Sequence, residues 1–216
     1  MNRLQLHVHR WEPASSAGLP TILLLHGTGG DENDLLAMGR MLAPGAALLS
    51  VRGNVSENGS ARFFRRLAEG VFDLADLRVR TEALGDFVEA AAGKYDFPLS
   101  SLYALGYSNG ANVAASLLLQ RPSVLAGGAL FRAMVPFEPE RIPPLGTKRV
   151  LISAGRFDTM VPPAGSERLA ELLRQGGADV ALVWQPVSHG LSQGDVTAGQ
   201  EFFGSLATGH VDSVDS

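Results

Sequence analysis

The sequence predicts an α/β fold: a mostly parallel central sheet of about seven strands with helices on both faces and no large lid domain. Three observations carry that prediction. Short apolar runs bounded by turn residues recur along the chain, each the length of a strand. Most intervals between them place apolar residues at helical spacing. One run, Leu102 to Gly106, passes through Gly106-Tyr-Ser-Asn-Gly110 straight into the apolar stretch from Ala111 to Gln120, so a strand meets a helix through one tight turn.

Taken in order, Met1 to Arg10 alternates apolar and polar side chains and reads as a first strand, not as the continuous apolar core of a signal peptide. Residues 13–20, opened and closed by proline, make a surface turn. Strands are expected over residues 21–25, 46–51, 102–106, 127–131, 149–154 and 180–184. Helices are expected over 31–42, 76–95, 111–120, 164–175 and 193–206, with Asp31 and Ser192 as caps. A single domain covers 1–207, and the small, acidic residues 208–216 form a flexible tail. Between Arg52 and Leu74 the pattern breaks into a long excursion from the carboxyl end of a strand. Loops of that length in compact domains are commonly functional, so it is expected to wall the substrate site. Its Phe63, Phe64 and Phe72 either line an apolar pocket or anchor the loop to the core.

Composition narrows the chemistry. With 216 residues and 45% hydrophobic content, the chain is long enough to bury a sizeable core. The net charge of -4, with no basic stripe, argues against nucleic acid as a partner. No window approaches the length of a membrane span, and a cytoplasmic enzyme is expected. The chain has no cysteine, which removes disulfides, thiolate metal sites and a sulfur nucleophile together.

An oxygen nucleophile is offered by Ser108. Between a strand and a helix, the Gly-x-Ser-x-Gly pattern forms a nucleophile elbow, a strained turn that lifts the hydroxyl above the sheet edge; Gly106 and Gly110 let strand and helix cross closely. Because a serine hydroxyl barely ionises at neutral pH, it needs a base, and histidine has the matching basicity. Of the five histidines, His7 and His9 fall in the first strand, His26 precedes a strand-ending glycine and His210 lies in the tail. His189, in the loop after the last strand, shares the sheet edge of Ser108. Asp158, just past the strand over 149–154, supplies the carboxylate that orients the imidazole and stabilises its charged form. Asp179 opens a strand at the opposite edge, and Asp195 suits the first turn of the last helix, where carboxylates favour the dipole. The order Ser108, Asp158, His189 is that of an α/β-hydrolase. Oxyanion donors are expected from the backbone amides of Asn109 and of Thr28, the latter in the glycine-rich turn after the second strand. His26 props that turn, and Asp31 and Glu32 read as a cap and a first-turn acid, not a metal pair. Arg132 and Met134 either face substrate or pack behind the base.

Leu25-His-Gly-Thr-Gly-Gly-Asp-Glu32, Arg52-Gly-Asn54, Arg62-Phe-Phe-Arg65, Gly106-Tyr-Ser-Asn-Gly-Ala111, Phe131-Arg-Ala-Met-Val-Pro136, Gly155-Arg-Phe-Asp158 and Ser188-His-Gly190 occur together and in order. In these motifs, and over nearly its whole length, the chain resembles the phospholipase/carboxylesterase family of α/β-hydrolases, which also holds acyl-protein thioesterases. The resemblance implies a small lidless hydrolase of carboxylic esters, with no metal or organic cofactor and often a homodimer. It assigns Ser108, Asp158 and His189 as a triad and supports Thr28 and Asn109 as oxyanion donors. Candidate pocket residues, from the segments themselves, are Phe63, Phe64, Phe72 and Met134. Thioesterase members usually carry glutamine after the nucleophile, where this chain has Asn109. Their loop after the first His-Gly pair usually contains leucine, where this chain has Thr28. Arg62-Phe-Phe-Arg-Arg66 is closer to the bacterial carboxylesterases. The expected activity is therefore cleavage of small to medium esters through an acyl-enzyme on Ser108. Thioester or lysophospholipid cleavage by the same triad is the alternative, and a non-catalytic ligand-binding protein on the same fold is a third class.

Overall fold

The protein is described by a computed structural model over residues 3–208. The chain runs through β1 (His9–Glu12), β2 (Thr21–Leu25), α1 (Leu36–Leu42) and β3 (Ala47–Val51), then two small hairpins, β4 (Val55–Glu57) with β5 (Ser60–Arg62) and β6 (Arg66–Ala68) with β7 (Val71–Phe72). It continues through α2 (Leu74–Tyr95), β8 (Leu102–Tyr107), α3 (Asn109–Gln120), β9 (Gly127–Phe131), β10 (Arg149–Gly155), α4 (Pro163–Gln175), β11 (Asp179–Gln185) and α5 (Gln193–Thr208). Seven strands form the central sheet in the order β1-β3-β2-β8-β9-β10-β11. Only the edge pair β1 and β3 is antiparallel. The α/β-hydrolase architecture expected from the sequence is the one observed.

The central strands are largely apolar because both faces of the sheet are covered. In β2, Leu23 and Leu25 point into a core shared with Leu77, Leu84 and Phe87 of α2, Val113 and Leu117 of α3, and Leu169 and Leu173 of α4. The intervening Ile22 and Leu24 point the other way, toward Leu36 and Leu42 of α1 and Phe202 and Phe203 of α5. This period-two division is the mark of a parallel strand buried on both sides. Each such leucine contributes about 1.5–3 kcal/mol through burial. Among the described residues no helix is long and apolar enough to cross a membrane.

Several boundaries differ from expectation, for local reasons. Residues Arg3–Leu6 form a 3₁₀ turn instead of the start of a strand, because Leu4 and Leu6 pack against the core; the first strand is His9–Glu12, paired with β3 from His9↔Val51 to Glu12↔Leu48. Asp31 does not cap α1, which starts at Leu36. Its carboxylate instead accepts from the Asn33 amide at 2.7 Å and closes a preceding turn, while Glu32 is drawn to the Arg52 guanidinium at 2.9 Å. Ser192 does precede α5, but its N–H and hydroxyl donate to Asp195 at 2.7 and 2.9 Å, the reverse sense of a side-chain cap. The excursion after β3 contains two hairpins. Asn58 and Gly59 at the tip of the first have φ 51° and 85°, the paired positive values of a type I′ turn, which Asn-Gly favours. Apart from Thr208, which closes α5, the tail over 208–216 and its His210 lie outside the described residues.

Two buried histidines make stability depend on pH. His7 Nδ1 bonds the Arg52 carbonyl at 3.0 Å, while its Nε2 is buried with no partner among the described residues. His26 Nδ1 donates to the Gly27 carbonyl, and its Nε2 accepts from the Gly53 N–H at 2.9 Å, which defines the neutral tautomer. Burial lowers both pKa values below the ordinary 6.5. In acid the unfolded chain therefore binds more protons than the fold. The contribution of both groups is complete above pH 6.5 and is lost as pH falls through that value toward the depressed folded values. The slope is at most about 1.4 kcal/mol per pH unit for each histidine. Melting curves between pH 7.5 and pH 5 are expected to show a falling Tm, with a shallower fall in His7→Phe; equal slopes in the two proteins would remove His7 from the account.

Candidate active site

Ser108 sits between β8 and α3 with φ 51° and ψ -114°, a conformation that L-residues avoid. Its N–H donates to the Phe131 carbonyl of β9 at 2.8 Å, so the turn is tied to the sheet next to it. The departing helix presses on the end of β2. A Cβ on Gly110 would lie 2.0 Å from the Leu25 carbonyl oxygen, and one on Gly106 would lie 2.7 Å from the Ala111 Cα, so both positions exclude any side chain.

The three residues singled out in the sequence meet at this edge. His189 Nε2 lies 2.9 Å from Ser108 Oγ, and His189 Nδ1 lies 2.8 Å from Asp158 Oδ2. With Nδ1–H donating to the carboxylate, Nε2 keeps its lone pair for the serine proton. The other oxygen of Asp158 accepts from the amides of Met160 and Val161 at 2.8 and 3.0 Å, so its side chain is buried yet fully engaged. Asp179 opens β11 at the far edge of the sheet, as expected.

Behind the imidazole lies a buried charge network. Arg132, at φ 59°, follows β9 and uses every N–H of its guanidinium. Two bonds of 2.8 Å go to the two oxygens of Asp195 and one of 3.0 Å to the Ser153 carbonyl; the others reach the carbonyls of Ser188 at 3.3 Å and Gly190 at 2.7 Å. Both members of the ion pair are wholly inaccessible. Burial pushes the Asp195 carboxyl up, but bonds from Arg132, Ser153 and Ser192 outweigh it and hold the group below its ordinary value. Removing one partner of such a pair typically costs about 3–5 kcal/mol. Arg132 thus packs behind the base.

The cleft at Ser108 is small, roughly 50 Å³, and is lined by Thr28, Arg62, Arg66, Phe72, Asn112 and Met134, among others. Phe72 and Met134 are therefore at its wall. Phe63 and Phe64 are not: they are 1% and 0% exposed and belong to the core beneath the excursion, so two of the four expected pocket residues are loop anchors. Thr28 and Asn109 both border the cleft, and their backbone N–H groups are unengaged among the described residues, whereas Gly29 and Gly30 donate to Ala61 and Gly27. Arg62, which sequence reasoning did not single out, donates to Thr28 Oγ1 at 2.6 Å and to the Phe64 carbonyl at 3.2 Å, with Glu57 beside it. A larger apolar hollow, about 260 Å³, lies among Leu19, Met41, Ala43 and Phe203 but contains no titratable side chain or nucleophile near Ser108.

Comparison with known proteins bears on the family and the fold. No family model matches the chain. The protein named "Putative hydrolase MhqD" of Bacillus subtilis (strain 168) is 45% identical over 195 residues, covering 90% of this chain and 96% of its own. The chain belongs to the phospholipase/carboxylesterase family of the α/β-hydrolases. A carboxylesterase of Bacillus cereus superposes with a TM-score of 0.91 at 41% identity, covering 95% of this chain and 100% of the other. One from Mesorhizobium loti gives 0.85 at 30% identity, over 92% and 95%. In this α/β-hydrolase the elbow is set by backbone contact. Gly110→Ala is expected to lower stability by about 1–3 kcal/mol, a Tm fall of roughly 2–12 °C for a chain of this size. It is also expected to slow the reaction of Ser108 with a fluorophosphonate. An unchanged melting curve and labelling rate would show that the helix can move away from β2 at no cost.

Proposed function

We propose that the chain is a serine carboxylesterase acting on short carboxylic esters. The observation that carries the reading is the continuous hydrogen-bonded path from Ser108 Oγ through His189 to Asp158, at 2.9 and 2.8 Å. Ser108 Oγ attacks the ester carbonyl while His189 Nε2 takes its proton, and the resulting imidazolium is stabilised by Asp158. The oxyanion of the tetrahedral intermediate accepts bonds from the amides of Thr28 and Asn109, each worth roughly 3 kcal/mol. The Asn109 amide also stands at the start of α3, where the helix dipole favours negative charge. Collapse of the intermediate breaks the ester C–O bond, with His189 returning the proton to the departing alcohol. Water activated by the same imidazole then releases the acid and restores Ser108.

The restricted cleft supports a preference for short acyl groups, since Phe72 and Met134 close the space beside the nucleophile. Weighing the intact protein after fluorophosphonate treatment is expected to show one adduct, absent in Ser108→Ala, and that variant is expected to lose at least ~10⁴-fold in kcat. Unmodified wild-type protein, active and folded, would remove the reading. Across p-nitrophenyl esters from acetate to palmitate, kcat/KM is expected to fall with acyl length; equal or faster turnover of the longest chains would favour lipid or long-chain thioester cleavage instead.

A further inference from the structure

We infer that Arg132, paired with Asp195 and assisted by Tyr107, is the positioning residue that holds the His189 loop in register with the nucleophile elbow. The inference rests on the esterase reading, and it assigns work to a guanidinium and a hydroxyl that bond the backbone of the base loop and not the reacting Oγ or Nε2.

The loop between β11 and α5 is exposed at Ser188 and Gly190, and a Cβ added to Gly190 would meet nothing within 4 Å. Outer packing therefore does little to place the imidazole. It is held from beneath, through its backbone. Three consecutive carbonyls are gripped: Ser188 by Arg132 Nε at 3.3 Å, His189 by the Tyr107 hydroxyl at 3.2 Å and Gly190 by Arg132 Nη2 at 2.7 Å. The far end of the loop is fastened by Asp195, which accepts from the N–H and hydroxyl of Ser192.

Both anchors originate at the elbow. Tyr107 immediately precedes Ser108 in β8. Arg132 immediately follows Phe131, whose carbonyl accepts the Ser108 N–H, and the Arg132 N–H itself donates to Ser153 of β10. One side chain thus spans the strands that carry nucleophile and orienting acid and the loop that carries the base. Asp158 has its own link to that loop, through the Phe157 N–H to the Val187 carbonyl at 3.1 Å. The distance that remains to be set, Ser108 Oγ to His189 Nε2, is the one Arg132 and Tyr107 control. A lysine at 132 would keep the charge but has three donors on a flexible stem, too few to reproduce the five bonds of the planar fork.

The test uses Arg132→Lys and Tyr107→Phe in the full chain, with folding verified by near-UV circular dichroism. It reads kcat and KM for p-nitrophenyl acetate and the low-field proton resonance of the His189 Nδ1–H, identified by its absence in His189→Asn. For Arg132→Lys the expected result is a fall in kcat of ~10- to 100-fold, the scale of an ångström-sized misplacement. KM should stay within about 2-fold and the Nδ1–H resonance should be shifted or lost. Tyr107→Phe, which removes a single hydroxyl, should move the same readings in the same direction by ~3- to 10-fold in kcat, about one hydrogen bond's worth. A folded Arg132→Lys protein with kcat within about 2-fold of wild type and an unmoved resonance would overturn the inference and leave the ion pair a purely structural element. Should Arg132→Lys not fold, Tyr107→Phe decides alone by the same criteria. Ser108→Ala separates the two claims. If that variant still hydrolyses the ester, the esterase reading fails while the resonance continues to report on positioning; if it is inactive and the other variants are normal, only the positioning role fails.

Discussion

Ser108 is held in a backbone conformation worth roughly 1–3 kcal/mol of strain, and the surrounding architecture is arranged to keep it there. Its N–H donates to the Phe131 carbonyl of β9, the residue before it closes the parallel ladder of β8 with β9, and the helix after it is pressed against the last carbonyl of β2. A looser elbow would relax at once, since nothing in the serine itself favours φ 51°. The turn stands the hydroxyl clear of the sheet and leaves the Asn109 amide, the first of α3, unengaged among the described residues at the same point. On the proposed esterase reading, nucleophile and anion-stabilising dipole are consequences of one turn.

Around that turn, two buried arginines do different work. Arg132 lies behind the imidazole and binds carbonyls of the base loop, whereas Arg62 lies under the opposite wall and fixes the Thr28 side chain. Burial lowers the pKa of Arg62, with Glu57 opposing the effect, and Arg132 is matched by a fully buried Asp195. In both cases the guanidinium is used as a rigid fork that joins segments remote in sequence. The cleft is consequently framed by hydrogen-bonded supports, and its apolar lining is limited to a few side chains such as Phe72 and Met134.

Much of this was legible in the chain. The alternation of apolar runs and helical spacing, and the glycines around Ser108, follow from local rules that tertiary contacts reinforce. The gaps have identifiable causes. Phe63 and Phe64 look like their neighbour Phe72 in sequence, yet the hairpin formed at Asn58-Gly59 folds the first two under the excursion and leaves the third at the cleft wall. That Asn-Gly pair is itself a strong hairpin signal for β4 and β5, whereas the second hairpin turns at Glu69-Gly70, with Gly70 at φ 71°, and carries no such pair. Leu4 and Leu6 satisfy a strand's alternation, but β1 finds its partner only from His9 onward. Asp195 suits a helix's first turn by composition alone. That it neutralises Arg132 depends on a contact spanning 63 positions.

The sequence by itself determined the α/β class, the elbow and the three residues of the hydrogen-bonded path, because each depends on the order of short segments and on which strand end a residue follows. Only the tertiary structure decided which aromatic rings reach the cleft, what neutralises the buried guanidinium and how the base loop is fastened. Those outcomes depend on long-range packing and on which buried donor finds an acceptor, and neither is encoded in the spacing of residues along the chain.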